Sequence, residues 1–188
     1  EKLTLIALLI GVSLVAYGPV TDYFQADNSC DCPDIETVVG QAEGKRKCVY
    51  VDTEGHPTIG IGFNLDRSDA PKLIAGVGAN YNNVRSGKEC LTDSQISKLF
   101  KNDLVWAEGG AKSCVGSYSS QHKCIQEVLV DMTFNMGKTS LCGWPNFVKQ
   151  LGNRDYNGAY NNMKSTRWCG QVKSRCTRDS TWVKDCGK

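Results

Sequence analysis

The stretch EGKRKCVYVDTEGHPTIGIG, residues 43–62, carries the pattern that decides the fold of this chain. It places Glu43 nine residues before Asp52, and Thr58 six residues after Asp52. The apolar run 49–51, a turn signal and a Gly-rich return segment predict a β-hairpin. Glycosidic bond cleavage requires two carboxyl groups on rigid elements, one as proton donor and one to activate water or attack the sugar. Single carboxylates are common on surfaces, so the signal lies in the spacing.

The composition indicates an ordinary globular protein. A chain of 188 residues can bury one core, or form one domain with a short appendage, and 40% hydrophobic with 22% charged residues excludes a disordered or fibrous protein. The net charge of +2 is small and by itself says little about partners, and we expect no nucleic-acid partner. The C-terminal 25 residues are basic, with Lys164, Arg167, Lys173, Arg175, Arg178, Lys184 and Lys188. They could attract an anionic polymer such as a bacterial wall, or form a solvated helical face.

The ten cysteines predict disulfides in an oxidising compartment. They stand at positions 30, 32, 48, 90, 114, 124, 142, 169, 176 and 186. Their even number allows up to five bridges, whose pairing the sequence does not determine. Zinc binding is the competing interpretation, but the chain has only two histidines and one closely spaced cysteine pair, Cys30 and Cys32. We therefore expect no metal and no cofactor.

The apolar segment LTLIALLIGVSLVAY, residues 3–17, predicts a signal peptide. It is shorter than the roughly 20 apolar residues of a membrane span and resembles the hydrophobic region of a secretory signal. We expect a signal peptide at 1–18, and a secreted protein, extracellular or in a digestive or lysosomal lumen, without stable membrane insertion. A signal anchor or a buried hydrophobic helix is the alternative.

The pattern downstream predicts an α+β protein. A Cys-containing connector at 19–33 precedes a helix that begins after Asp34 and stops at Gly44. Strands are predicted at 48–51 and 58–63, and helices from 71, at 93–107, 121–136, 144–151 and 155–163, and in pieces after 165. Residues 109–120 are expected to interrupt the helical pattern. A small β-hairpin lobe should therefore pack beside a larger all-helical lobe, with a cleft between them.

Four blocks of the sequence resemble the phage-type, T4-like lysozymes, a glycoside hydrolase family. VYVDTEGHPTIGIGFNL (49–65) resembles the family's catalytic hairpin, and LTDSQISKLFKNDL (91–104), MTFNMGKTSLCGWPNF (132–147) and STRWCGQVKSRCTR (165–178) resemble later segments. The resemblance implies a lysozyme-like fold and a phage-type lysozyme domain at 34–188. The cysteines and the predicted signal make the chain similar to the versions found in animals such as bivalve molluscs.

The resemblance assigns three catalytic roles. Glu43 corresponds to the general acid, Asp52 to the second carboxylate and Thr58 to a hydroxyl that positions water, in a reaction that inverts the sugar. Each residue has an ordinary alternative: a helix-end surface residue, an Asx turn and a strand threonine. The joint spacing favours the catalytic interpretation.

The resemblance also suggests residues that line the sugar site. Asn135 stands where the family has a glutamine, and Gly62 and Phe134 complete the predicted substrate-binding set with Arg175. Phe134 and Trp168, like Met136, are also expected to belong mainly to the core.

Arg175 matches a family arginine close to the glutamate. A guanidinium beside Glu43, with the basic residues 45–47, should oppose retention of its proton, so we hypothesise that substrate displaces Arg175. Phe63 replaces a family histidine whose partner matches Asp103, so Asp103 needs a new donor.

The predicted function is a monomeric, secreted lysozyme. It would cleave the β-1,4 bond between N-acetylmuramic acid and N-acetylglucosamine in bacterial peptidoglycan, for defence or for digestion of bacteria. The alternatives are a wall-binding protein without turnover, membrane disruption by the basic tail, and chitin as the main substrate.

Overall fold

The computed structural model of the chain describes residues 30–187. The predicted signal peptide and most of the connector lie outside this range. The elements, in chain order, are α1 (Ile35–Glu43), β1 (Arg46–Val51), β2 (Pro57–Gly60), β3 (Phe63–Asn64), α2 (Ala70–Gly76), α3 (Tyr81–Arg85), α4 (Asp93–Cys114), a 3₁₀ turn (Tyr118–Ser120), α5 (Lys123–Cys142), α6 (Pro145–Gly152), α7 (Tyr156–Lys164), α8 (Arg167–Val172) and α9 (Ser174–Cys186).

A three-stranded antiparallel sheet in the order β1-β2-β3 forms the small lobe. Thr58 pairs with Tyr50 on one side and with Asn64 on the other. The prediction of one return strand at 58–63 was wrong, because Gly60 and Gly62 both have φ of +67°, in the left-handed region that a continuous strand does not use. The chain therefore bends after β2, and β3 is added as a third strand.

Two hydrophobic cores define the predicted lobes. The small core lies under the sheet and consists of Ile59, Phe63, Leu65, Ala70, Ile74, Ala79, Val84, Leu91, Ile96 and Leu99. The large core joins α1 and the helices from α4 onward. Helix α4 contributes to both, with Leu99 in the small core and Phe100 in the large one. The α+β arrangement with a small sheet lobe and a helical lobe is confirmed, and α4 is the element that connects the lobes.

Helix α4 begins where the sequence predicted and ends later. The capping box is present, since Thr92 accepts from the Gln95 backbone and the Gln95 side chain accepts from the Thr92 backbone. The predicted break after 107 was wrong, because the helix continues to Cys114. Each glycine at 109 and 110 destabilises the helix by only about 1 kcal/mol relative to alanine. Packing of the buried turn around Ala111 offsets this cost.

Helix α5 has an interruption where the sequence predicted an end. Gly137 has φ 80° and ψ 156°, which is not helical, and helical structure then resumes to Cys142. The following segment turns at Gly143 into α6. The predicted stop at Gly137 is therefore a kink between two helical pieces.

All ten cysteines lie in the described range and form five disulfides, as the sequence predicted. The pairs are Cys30–Cys186, Cys32–Cys124, Cys48–Cys90, Cys114–Cys142 and Cys169–Cys176. One bridge holds the sheet lobe, and four hold the helical lobe. Two of these four tie the start of the described chain to α5 and to the end of α9. In residues 30–187, no helix is long and apolar enough to cross a membrane.

Candidate active site

Glu43 lies at the last turn of α1, next to the sheet. The helix begins at Asp34, whose side chain accepts from the Thr37 backbone, and ends at Gly44 with φ of +72°, as predicted. The Glu43 carboxyl faces Gly62, because a Cβ built on Gly62 would lie 3.2 Å from Glu43 Oε2. The absence of a side chain at Gly62 therefore allows the sheet to approach this carboxyl.

Asp52 is held by the hairpin turn. Its Oδ1 accepts from the backbone N–H groups of Glu54 (2.9 Å) and His56 (2.8 Å), and its Oδ2 lies 3.2 Å from Thr58 Oγ1. These hydrogen bonds, the one from His56 foremost, lower the pKa of Asp52. With its pKa lowered, the partly exposed carboxyl is an anion at neutral pH, and the Thr58 hydroxyl lies beside it.

One cleft brings together six of the seven site residues that the sequence predicted. It has a volume of about 1100 Å³ and is lined from the sheet side by Glu43, Asp52, Thr58 and Gly62, and from the helical lobe by Phe134 and Asn135. Arg175 is not part of this wall. It lies against Glu43 and borders a smaller cavity of about 520 Å³.

Arg175 is bound on two sides. Its Nη1 donates to Glu43 Oε1 at 2.9 Å, while Nε and Nη2 donate to both oxygens of Asp131 at 3.0 and 2.9 Å. Burial alone lowers the pKa of Arg175, but the carboxylates of Asp131 and Glu43 more than offset it, so that its pKa is raised. The guanidinium is thus a permanent charge with two carboxylate partners.

The three basic residues after Glu43 interact elsewhere. Lys45 and Lys47 both form ion pairs with Asp93 at the start of α4. The guanidinium of Arg46 lies 4.6 Å from the ring centre of Tyr50. Of the basic groups that the sequence placed near Glu43, only Arg175 donates a hydrogen bond to its carboxyl.

The helical wall of the cleft is fixed by aromatic contacts. Trp168 is 7% exposed and its indole N–H donates to Asn135 Oδ1 at 2.7 Å, which leaves the Asn135 amide NH₂ as the group that a ligand can reach. Phe134 packs edge-to-face on Phe100 with ring centres 5.7 Å apart. Trp168 is therefore a core residue as expected, and Phe134 is partly buried at the cleft surface.

Asp103 finds its donor in Arg67. Arg67 Nη1 donates to Asp103 at 2.6 Å, and the same guanidinium holds Asp69 and lies 4.8 Å from the Phe63 ring centre. Burial raises the pKa of Asp103, and Arg67 opposes this shift. Arg67, in the loop after β3, thus donates the hydrogen bond to Asp103 that Phe63 cannot donate.

Several residues near the site were not predicted from the sequence, among them Asp131, Arg67 and Trp106. Asp131 is fully buried, and Arg67 and Trp106 line the cleft. Trp106 is 57% exposed, which is unusual for so large an aromatic side chain. An acidic residue within the apolar stripe of α5, at a buried helical position, was a signal that could have revealed Asp131.

One cluster of potential metal ligands occurs among the described residues, but its chemistry does not indicate a metal site. Sulfur atoms of Cys30, Cys124 and Cys186 lie with a His122 ring nitrogen within 4.8 Å of one another. These cysteines are all disulfide-bonded and so supply no thiolate ligands.

The chain is similar to several known protein sequences. The profile of the family described as Phage lysozyme matches residues 40–177. The chain is 31% identical over 123 residues to the Endolysin of Salmonella phage P22, a match that covers 65% of this chain and 73% of that protein. It is 26% identical over 144 residues to Probable T4-type lysozyme 2 of Dictyostelium discoideum, with 72% and 85% covered. The family match contains every predicted site residue.

Proposed function

The chain belongs to the phage lysozyme family, and from that membership we propose that it is a lysozyme which hydrolyses the β-1,4 bond between N-acetylmuramic acid and N-acetylglucosamine in bacterial peptidoglycan. The observation that carries the proposal is the shared cleft. Glu43, Asp52 and Thr58 come from a helix end, a turn and a strand, yet they line one open groove with Asn135 opposite. Such a groove suits a polymer that must pass through the site.

In the proposed mechanism, Glu43 donates a proton to the glycosidic oxygen. Asp52 remains an anion because the hairpin N–H groups lower its pKa, and with the Thr58 hydroxyl it orients a water molecule on the opposite face of the sugar. That water attacks the anomeric carbon and gives its proton to Asp52 as the bond to the protonated glycosidic oxygen breaks, which inverts the configuration at that carbon. The turn holds one oxygen of Asp52 and Thr58 on β2 holds the other, so the anion is fixed before substrate arrives.

The substitution Glu43→Gln tests the proton donor. It keeps the shape of the side chain and its contact with Arg175 but removes the acid, so we expect turnover to fall by roughly 10²–10⁴-fold. The measurement is release of reducing sugar from purified walls, with clearing of bacterial suspensions in parallel. Equal activity of wild type and variant would contradict the proposal. Binding without any turnover by wild type would indicate a wall-binding protein.

The same assay distinguishes wall hydrolysis from membrane disruption and from chitin cleavage. Killing that persists in Glu43→Gln without sugar release would indicate membrane disruption by the basic tail. Two of the seven basic residues counted there, Arg175 and Arg178, are engaged with buried carboxylates, which weakens that possibility. Faster cleavage of chitin oligomers than of peptidoglycan fragments would change the assigned substrate.

Thr58 and the stereochemistry test the second half of the mechanism. Thr58→Val removes the hydroxyl and retains the branched shape, whereas Thr58→Ser keeps the hydroxyl. We expect Thr58→Val to lower kcat by about tenfold or more, and Thr58→Ser to retain most activity. Proton NMR of the first product should show the α anomer. Initial formation of the β anomer would contradict inversion.

We also propose that the protein acts outside the cell as a monomer, in defence or in digestion of bacteria. The support is its five disulfides, which are typical of secreted proteins. Peptide mapping of protein recovered from secretions would identify the mature N-terminus. Recovery of the chain only from cell interiors, with reduced cysteines, would contradict secretion.

A further inference from the structure

A connected cluster of charges lies behind Glu43 and joins α9 to α5. Asp131 on α5 has no exposed surface, and Arg175 is 10% exposed. Asp131 accepts hydrogen bonds from two arginines: a bidentate pair from Arg175 and a further one from Arg178 Nη2. Glu43, the only member that lines the cleft, receives a single hydrogen bond from Arg175. The arginine beside the proposed acid is therefore held mainly by another residue.

The planar shape of the guanidinium explains why Arg175 donates two hydrogen bonds to Asp131 and one to Glu43. An arginine side chain is planar, and its Nε–Nη2 edge matches both oxygens of one carboxylate. Asp131 occupies that edge and leaves only Nη1 for Glu43. The position of Arg175 relative to Glu43 is therefore set by Asp131 from the helix behind it.

Resting on the function proposed above, we propose that Asp131 is a positioning residue for the acid step: it fixes Arg175 by one edge and matches its charge, so that Glu43 can hold a proton beside a buried arginine. Without this carboxylate, Glu43 would be the nearest counter-ion of the guanidinium, and loss of the Glu43 proton would be favoured. The family resemblance assigns no role to this position.

The neighbouring Asp179 supports the charge balance. Its Oδ1 accepts from Arg178, and its buried Oδ2 has no hydrogen-bond partner. Burial, together with the charge of Asp131, raises the pKa of Asp179 to about 8. The raised pKa favours the neutral form of Asp179, which leaves Asp131 as the acidic residue that contacts both arginines.

The other charged groups around Glu43 are on the hairpin. Burial raises the pKa of the Tyr50 hydroxyl, and the charge of Glu43 contributes to the shift. Asp52, also on the cleft wall, is an anion held by its turn. Lys45 and Lys47 are paired with Asp93. None of these groups contacts Arg175 in the described part of the chain, so Arg175 is the contact that links Asp131 to Glu43.

The test is Asp131→Asn, which keeps size and one acceptor but removes the charge. The alkaline limb of kcat/KM against pH reports loss of the essential proton from the free enzyme. With soluble oligomers of alternating N-acetylglucosamine and N-acetylmuramic acid, we expect this limb to move down by about one pH unit, which lowers turnover at pH 7 by up to about tenfold. KM should stay within about twofold, because Asp131 does not touch the cleft.

Asp179→Asn is the matched control. It also replaces a fully buried aspartate that contacts Arg178, but Asp179 does not contact Arg175. Since the raised pKa favours a neutral Asp179 near neutral pH, its variant should show the wild-type profile up to about pH 7. A folded Asp131→Asn with an unchanged alkaline limb, or an equal shift in both variants, would overturn the proposal.

A second measurement is independent of turnover. Carbon-13 NMR of labelled glutamate carboxyls follows the Glu43 titration without substrate, with Glu43→Gln identifying the signal. We expect the midpoint to fall in Asp131→Asn and to recover in Asp131→Asn with Arg175→Gln, which removes both charges. If the single variant fails to fold, the double variant decides: a midpoint below that of wild type would overturn the proposal. Inactive wild type with these shifts intact would contradict only the proposed function.

Discussion

Gly62 shows how one missing side chain can shape a site. Its φ of +67° suits glycine, and a Cβ there would lie 3.2 Å from Glu43 Oε2 and 3.4 Å from Cδ. The sequence placed Gly62 in the site through the hairpin motif, but not for this reason. Gly62 has this role because the end of α1 packs against the sheet at the cleft. No local sequence pattern predicts that contact.

Gly62→Ala should therefore impair both stability and activity. The left-handed φ costs a non-glycine residue about 1–2 kcal/mol, and the new methyl group must displace the Glu43 carboxyl, so we expect activity to fall by at least about tenfold. Urea unfolding and wall hydrolysis measure the two effects. Gly78→Ala is the control, since Gly78 has φ of +80° with nothing within 4 Å of a Cβ. Gly78→Ala should lower the stability by a similar amount and leave the activity unchanged. An equal loss of activity in both variants would show that contact with Glu43 is not the cause.

Trp106 provides the second prediction for a single residue. It is 57% exposed and lines the cleft, and an aromatic face can pack on the apolar face of a sugar ring. We expect Trp106→Ala to raise KM for long glycan chains about threefold to tenfold, with an unchanged melting temperature. Val105→Ala, at the adjacent position with 71% exposure and outside the cleft lining, should leave KM unchanged. An unchanged KM in Trp106→Ala would exclude a sugar contact there.

At the scale of elements, the glycine pair in α4 explains why a predicted break is absent. Gly109 is exposed, and nothing lies within 4 Å of a Cβ built on it. Gly110 is buried, and a Cβ there would lie 2.8 Å from Thr133 Cγ2 on α5. Two glycines in sequence indicate a loop, but one of them is needed for close packing of two helices.

The two glycines should respond oppositely to alanine. Gly109→Ala should stabilise the protein by about 0.5–1 kcal/mol, because alanine is the better helix former. Gly110→Ala should destabilise it by about 1–3 kcal/mol through overpacking against α5. Chemical unfolding of both variants measures the difference. The same sign for both would show that helix propensity, and not packing, governs this turn.

Helix α9 carries a pH dependence of stability through Asp179. Its folded pKa of about 8 lies above the ordinary 3.8, so its contribution to stability is fully present below about pH 4 and is lost as the pH rises through 8. Relative to Asp179→Asn, the wild-type free energy of unfolding should decrease by up to about 1.4 kcal/mol per pH unit in this window. Urea titrations at several pH values give the difference. A constant difference from pH 4 to 9 would contradict a neutral buried Asp179.

For the whole molecule, the disulfides differ in what they constrain. Cys30–Cys186 joins residues 156 apart, whereas Cys169–Cys176 closes a loop of separation 7. Loop-closure entropy predicts losses of about 4–5 and about 2 kcal/mol when each pair is replaced by serines. The range for Cys30–Cys186 takes into account that the other disulfides shorten the loop which this bridge closes. Thermal unfolding of the two double variants tests the order, and a larger loss for the short bridge would contradict the entropic explanation.

The resemblance of its blocks to a known family named six residues of the cleft wall. The sequence by itself determined the lobes, the hairpin and the helix caps at Asp34 and Thr92. Those features depend on local signals: apolar periodicity, capping side chains and a hairpin whose residues lie close together in the chain. It also determined the number of disulfides, since an even set of cysteines in an oxidising compartment tends to pair completely.

Only the tertiary structure decided the disulfide pairing, the role of Gly110 and the pairing of Arg175 with Asp131. Each depends on contacts between residues far apart in the chain, such as Asp131 with Arg175, 44 positions apart. A buried charged side chain is costly unless a partner of opposite charge lies beside it. Here that partner lies on another helix, and the linear sequence does not show which helices pack together. The stretch 43–62 thus predicts Glu43, Asp52, Thr58 and Gly62 as site residues, and the packing of α5 and α9 behind it decides how Glu43 is held.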